Sequence, residues 1–201
     1  MKLEQHPTVR AWRQRQEQDT GVSEKGPLGR ERLRSMVLAA GADDVGFVSL
    51  DRPELDDQRA AIVEAFPRTR TLISFVKRMN REAIRSTTRS LANLEFHHCG
   101  DSINAIGREV AQQLEREGVG AVNVTMGFPM EMDRWPGRIW TVSHKPVAVA
   151  AGLGQMGIHR NVIHPKFGNF ILLGTVLVEV DVADDDQPID YNPCLECKLW
   201  V

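Results

Sequence analysis

Residues 143–201 read SHKPVAVAAGLGQMGIHRNVIHPKFGNFILLGTVLVEVDVADDDQPIDYNPCLECKLWV. The run at 169–182, NFILLGTVLVEVDV, is rich in β-branched residues and too continuously apolar for an exposed edge. It is expected inside a sheet. A glycine-dense loop with His159 and His164 precedes it. An acidic exit (Asp184, Asp185, Asp186) and Pro188 follow, leading to Cys194-x-x-Cys197. The upstream chain reads as scaffold for that loop.

Working outward, residues 121–126 (AVNVTM), 71–76 (TLISFV) and 44–50 (DVGFVSL) are further strand candidates. Helices are expected after Pro27, where Leu33, Met36, Val37 and Ala40 share a face up to Gly41, and over 54–65. A long helix is expected over 91–117, where Ile103, Ile106, Val110 and Leu114 repeat at threes and fours. Residues 127–137, with Pro129, Pro136 and Gly137, read as a loop. The basic segment 77–89 reads as a solvated loop or frayed helix, or else as a phosphate contact. Residues 1–26 form a polar arm, with a short helix near 9–18 anchored by Trp12. Interleaved helices and strands give an α+β domain in three layers.

The chain has 201 residues, 42% hydrophobic and 26% charged, which is a globular rather than a disordered composition. A net charge of -2 gives no global drive toward nucleic acid or anionic membrane. No window approaches the roughly 20 apolar residues of a membrane span, and no signal peptide is evident. A cytoplasmic location follows as the expectation. Three cysteines, two of them in Cys-x-x-Cys, suit metal or redox chemistry better than a disulfide framework.

Gly152-Leu-Gly154-Gln-Met-Gly157 spells a dinucleotide fingerprint, with residues 146–151 as its candidate strand and Glu179 as its distal acid. Pro165 and Gly168 leave too little chain for the crossover helix, so the fingerprint reading is set aside. A loop whose glycines let backbone approach a flat ligand, or pack on a neighbouring strand, is the physical alternative. His144, His159 and His164 lie around it, none at metalloprotease spacing. His97-His98-Cys99 sits on a helix, where adjacent side chains diverge, and makes no joint metal site. Cys194 and Cys197 can both face one metal or cluster, yet a four-cysteine cluster needs two more ligands.

The run AAGLGQMGIHRNVIHPKFGNFILLGTVLVEVDV followed by CLEC resembles the epoxyqueuosine reductase and reductive dehalogenase superfamily, over about residues 30–201. The resemblance implies a nitroreductase-like mixed sheet flanked by helices. It implies a cobalamin-type corrinoid, 4Fe-4S clusters and an electron donor such as ferredoxin or flavodoxin. Residues 27–187 would be the cofactor domain and 188–201 the truncated start of a ferredoxin-like module. Gly152, Leu153, Gly154 and Gly157 would shape the corrinoid-facing loop, with Asn161 and His164 beside it. Cys194 and Cys197 would be cluster ligands, with Trp200 in place of the third. Arg138 and His144-Lys145-Pro146 replace the family's acid and glutamate-arginine-proline step, leaving His144, His159 and Glu131 as candidate proton donors and Asp133 as another position for the displaced acid. A tRNA partner is not supported by the net charge. A non-catalytic module of the same fold and a flavin-binding reductase are the alternatives.

Overall fold

The computed structural model describes residues 3–18, 26–127 and 140–197. Its centre is the strand expected from the sequence, Ile171–Val178 (β6 once the others are placed). In chain order the elements are α1 (Pro7–Gln18), α2 (Arg30–Ala39), β1 (Asp44–Ser49), α3 (Asp56–Ala65), β2 (Thr71–Arg78), α4 (Arg81–Arg85) and α5 (Arg89–Arg116). β3 (Ala121–Val124), α6 (His144–Ala150), β4 (Gln155–Met156), β5 (Val162–Ile163) and β6 complete the order. The main sheet runs β1-β2-β6-β3. Its three ladders are all antiparallel, so the expected mixed sheet is parallel only at the isolated Leu28–Val182 bridge.

Alternation along the strands sorts side chains to two faces. Val45, Phe47, Ile73, Phe75, Val176 and Val178 pack under α2 and α5, against Leu33, Val37, Ile103, Val110 and Leu114. Val48, Leu72 and Leu177 turn the other way, onto Leu55, Ile62, Val147 and Ala150 of the α3 and α6 layer. Helices on both faces make the three-layer α+β arrangement. The edge strand β1 does not stay open. Phe47 N–H donates to Asp186 Oδ2 at 2.8 Å and Ser49 N–H to Asp185 Oδ2 at 2.9 Å, while Asp186 N–H donates to Phe47 O. The acidic exit thus covers an edge that would otherwise invite pairing with another chain. Arg30 pairs with Asp186 and fixes that loop.

Two expectations change. Residues 146–151 form part of helix α6 instead of a strand. Pro146 sits in the first turn, where its missing N–H costs no helical bond. Val147, Ala148 and Ala150 are then buried against the sheet. Trp12, expected to anchor α1, is exposed. Among the described residues no helix is long and apolar enough to cross a membrane.

Candidate functional site

A cavity of about 400 Å³ opens at the end of the sheet where β2 leaves and β6 enters. β6 and the residue ahead of it supply Asn169, Ile171, Leu172 and Leu173. α5 supplies Phe96, and the chain after β2 and β3 supplies Met79 and Met126. Trp140, Ser143, His144 and Lys145 close it from the α6 side, and Asn161 and Val162 from the hairpin. Its walls are mostly apolar, with Ser143, His144, Lys145, Asn161 and Asn169 as the polar lining residues. Such a volume suits a drug-sized or cofactor-sized ligand.

His144 is bound on both ring nitrogens. Nε2 lies 3.1 Å from the Thr125 carbonyl and so carries the proton, leaving Nδ1 to accept from the buried Thr175 hydroxyl at 2.8 Å. Burial holds its pKa below the ordinary 6.5, although the Thr125 carbonyl works the other way. The sign follows directly. As pH falls below 6.5 the unfolded chain takes up the proton before the folded one does, so stability drops. Replacement His144→Gln is expected to flatten the stability slope between about pH 5 and 6.5 in urea titrations, because Gln does not titrate. An unchanged slope would contradict this.

Lys145, a lining residue, reaches over the hairpin and donates to Arg160 O at 2.8 Å and Asn161 Oδ1 at 2.9 Å. His159 is outside the cavity lining and accepts from the Asn161 N–H through Nδ1 at 3.1 Å. His164 is buried elsewhere. It donates from Nε2 to Asp44 Oδ2 at 3.1 Å, accepts from Lys166 N–H, and stacks on Phe167 at 4.7 Å. Burial opposes the Asp44 charge. The His164 bond, the Val45 N–H and Arg34 at 2.8 Å outweigh it and hold the carboxyl below its usual 3.8. That chain ties the hairpin to the start of β1.

The glycine loop follows a helix and opens a hairpin, the reverse of the dinucleotide context. Gly152 has φ +71 and lies against the Gln187 carbonyl. Gly154 lies under Ile163 O, and Gly157 beside the His159 ring and Ile163. Leu153 is buried with Val76, Ala148 and Phe167. None of these four lines the cavity. Glu179, the candidate ribose acid, accepts from Gly120 N–H at 2.7 Å and pairs with Arg68 at 3.1 Å. Its role is to close the β3 turn. Cys194 and Cys197 are free, half-buried thiols beside the short 3-10 turn Pro193–Leu195. Among the described residues no three His, Cys, Asp or Glu groups converge on a metal site. Cys99 is buried, and burial pushes its thiol up to about 11. Glu131, Asp133, Arg138 and Trp200 lie outside the described residues. Met79, Phe96 and Asn169 escaped the sequence reading because they come from separate segments with no common motif.

No protein-family model matches the chain, and no curated protein matches it. Solved structures do. An epoxyqueuosine reductase bound to an epoxyqueuosine-modified tRNA-Tyr stem loop superposes with a TM-score of 0.59 at 15% identity, over 84% of this chain and 49% of that one. A catabolic reductive dehalogenase gives a TM-score of 0.64 at 16% identity, over 85% and 23%. A reductive dehalogenase structure described with a mechanism for B12-dependent dehalogenation gives 0.59 at 17%, over 79% and 20%. The chain therefore has the fold of these reductases, spanning about half the length of the first and under a quarter of the other two.

Proposed function

We propose that this chain carries the cofactor-binding domain, residues 27–187, of a cytoplasmic reductase that takes a corrinoid at the cavity. Residues 188–201 begin its iron–sulfur module, fed by a ferredoxin- or flavodoxin-type donor. The observation that carries the reading is the mostly apolar cavity with a few polar lining groups, set in a fold similar to that of a B12-dependent enzyme.

The residues fit a flat ligand. Phe96, Met126, Trp140 and Leu172 would supply apolar contact to such a ligand, and Ser143, Lys145 and Asn161 would supply polar atoms. When bound, a corrinoid supplies low-valent cobalt that reduces the substrate. The chain's own part is to orient and to hold a proton. His144, kept neutral by burial, holds one on Nε2 at the cavity wall and would offer it as a hydrogen bond to a bound group once the bond to Thr125 opens. The cluster does not fit on the described residues alone, because only Cys194 and Cys197 are present there as thiolate ligands, so no step is routed through it.

A second reading, a non-catalytic binding module, draws on the glycines, whose close contacts are to the chain's own atoms. Equilibrium dialysis against hydroxocobalamin and FMN in parallel separates the readings. Saturable cobalamin binding is expected. Phe96→Arg, an exposed cavity residue, is expected to weaken it about tenfold, or 1.4 kcal/mol. Saturation by FMN alone would replace the corrinoid with a flavin. Binding of neither would leave the module reading.

A further inference from the structure

A second pocket, of about 390 Å³, lies beside the cavity and shares Met79 with it. Arg78, Arg81, Lys166, Asn80 and Phe167 complete its lining. The three cations arrive from three places: the end of β2, the start of α4, and the turn between His164 and Gly168. None of them forms an ion pair among the described residues, whereas most arginines around the sheet do. Glu95, the nearby acid on α5, is engaged by the Asn80 backbone and side-chain amides. Glu82 is the one acid on α4.

Instead of carboxylates, these cations rest on aromatic rings. Arg78 lies 5.9 Å and Lys166 5.3 Å from the Phe167 centroid. Arg81 and Arg85 each lie 5.4 Å from that of Phe170. Phe167 is itself buried and stacked on His164, so it is a fixed support and offers no free face to a base. His164 also takes the Lys166 N–H, which fixes the backbone that presents Lys166. A guanidinium over a ring keeps its N–H edge free to fork an oxyanion. Cations ordered in advance and left without carboxylate partners form a binding site for an anion carrying more than one charge.

We propose that the Arg78–Arg81–Lys166 pocket binds the phosphate or diphosphate of a small molecule. The modest volume, the count of three cations and the net charge of -2 favour a small ligand over a polynucleotide. The proposal stands independently of the corrinoid reading, and its test needs no corrinoid.

The test is isothermal titration of the full chain at low salt with inorganic pyrophosphate and with ADP. Saturable one-to-one binding is expected, at least about tenfold weaker in Arg81→Gln and Lys166→Gln. It is expected to be unchanged in Arg116→Gln, an exposed cation at the far end of α5. Equal affinity for both probes would assign the recognition to the phosphates, and tighter ADP would add a nucleoside contact; either supports the pocket. No saturation at millimolar probe, or the same loss in Arg116→Gln, overturns it. So does binding of a single-stranded RNA oligonucleotide with neither small probe retained.

Discussion

Gly46→Val is expected to cost roughly 3 kcal/mol and to lower the melting temperature by about 6–12 °C, on the usual scaling for a chain of this size. Gly46 lies in β1 opposite Ser74, beneath the end of α6. A Cβ there would stand 2.2 Å from the Ala151 carbonyl oxygen and 3.1 Å from Ala151 Cβ. The obstacle is backbone, so no rotamer change relieves it. The end of α6 must lift from the sheet, which exposes part of the Val147, Ala150 and Leu177 cluster. Because α6 begins at His144, the cavity deforms with it. Gly29→Ala is the control: nothing lies within 4 Å of its Cβ, and its φ of -64 suits any residue. Thermal unfolding of both variants checks the account, and equal melting temperatures would contradict it.

Gly152→Ala is expected to cost about 2–3 kcal/mol by two separate effects. The left-handed backbone at φ +71 penalises a side chain by about 1–2 kcal/mol. The new Cβ would also meet the Gln187 carbonyl at 2.6 Å, forcing the exit loop outward. That loop is held on one side by Asp185 and Asp186 on β1, and on the other by Gln155 Nε2 donating to Ile189 O at 2.7 Å. A shift there travels toward Cys194. Reaction with a thiol reagent is therefore expected to quicken at Cys194 and Cys197 while the buried Cys99 stays slow. A loss of stability with unchanged thiol rates would show that the glycine loop and the cysteine segment are not coupled.

The sheet was legible because β2 and β6 are apolar on both faces, and α5 because Ile103, Ile106, Val110 and Leu114 repeat at threes and fours along its second half. α6 was not. Its alternating valines and alanines look strand-like, and only burial against the sheet makes them helical. The glycines were correctly read as points of close approach, but no local pattern tells which surface approaches. Here the partners are Gln187, Ile163 and Val162 of the same chain. The acidic triplet reads only as the exit loop to the cysteines, yet its carboxylates close a sheet edge more than 130 residues away in sequence. The cavity is assembled from α5, the ends of three strands, α6 and the hairpin, so it exists only after folding. The basic stretch near Arg81 was visible in the sequence. Phe167 and Phe170, which support its cations, lie far along the chain.

The proposed function places a corrinoid in the cavity beside β6. Protein labelled with 13C at the methionine methyls tests it directly, since Met79 and Met126 line the cavity while Met36, on α2, packs against the core outside it. Titration with paramagnetic cob(II)alamin is predicted to broaden the Met79 and Met126 resonances first and to leave Met36 sharp. Unperturbed spectra, or equal broadening at all three, would contradict the account.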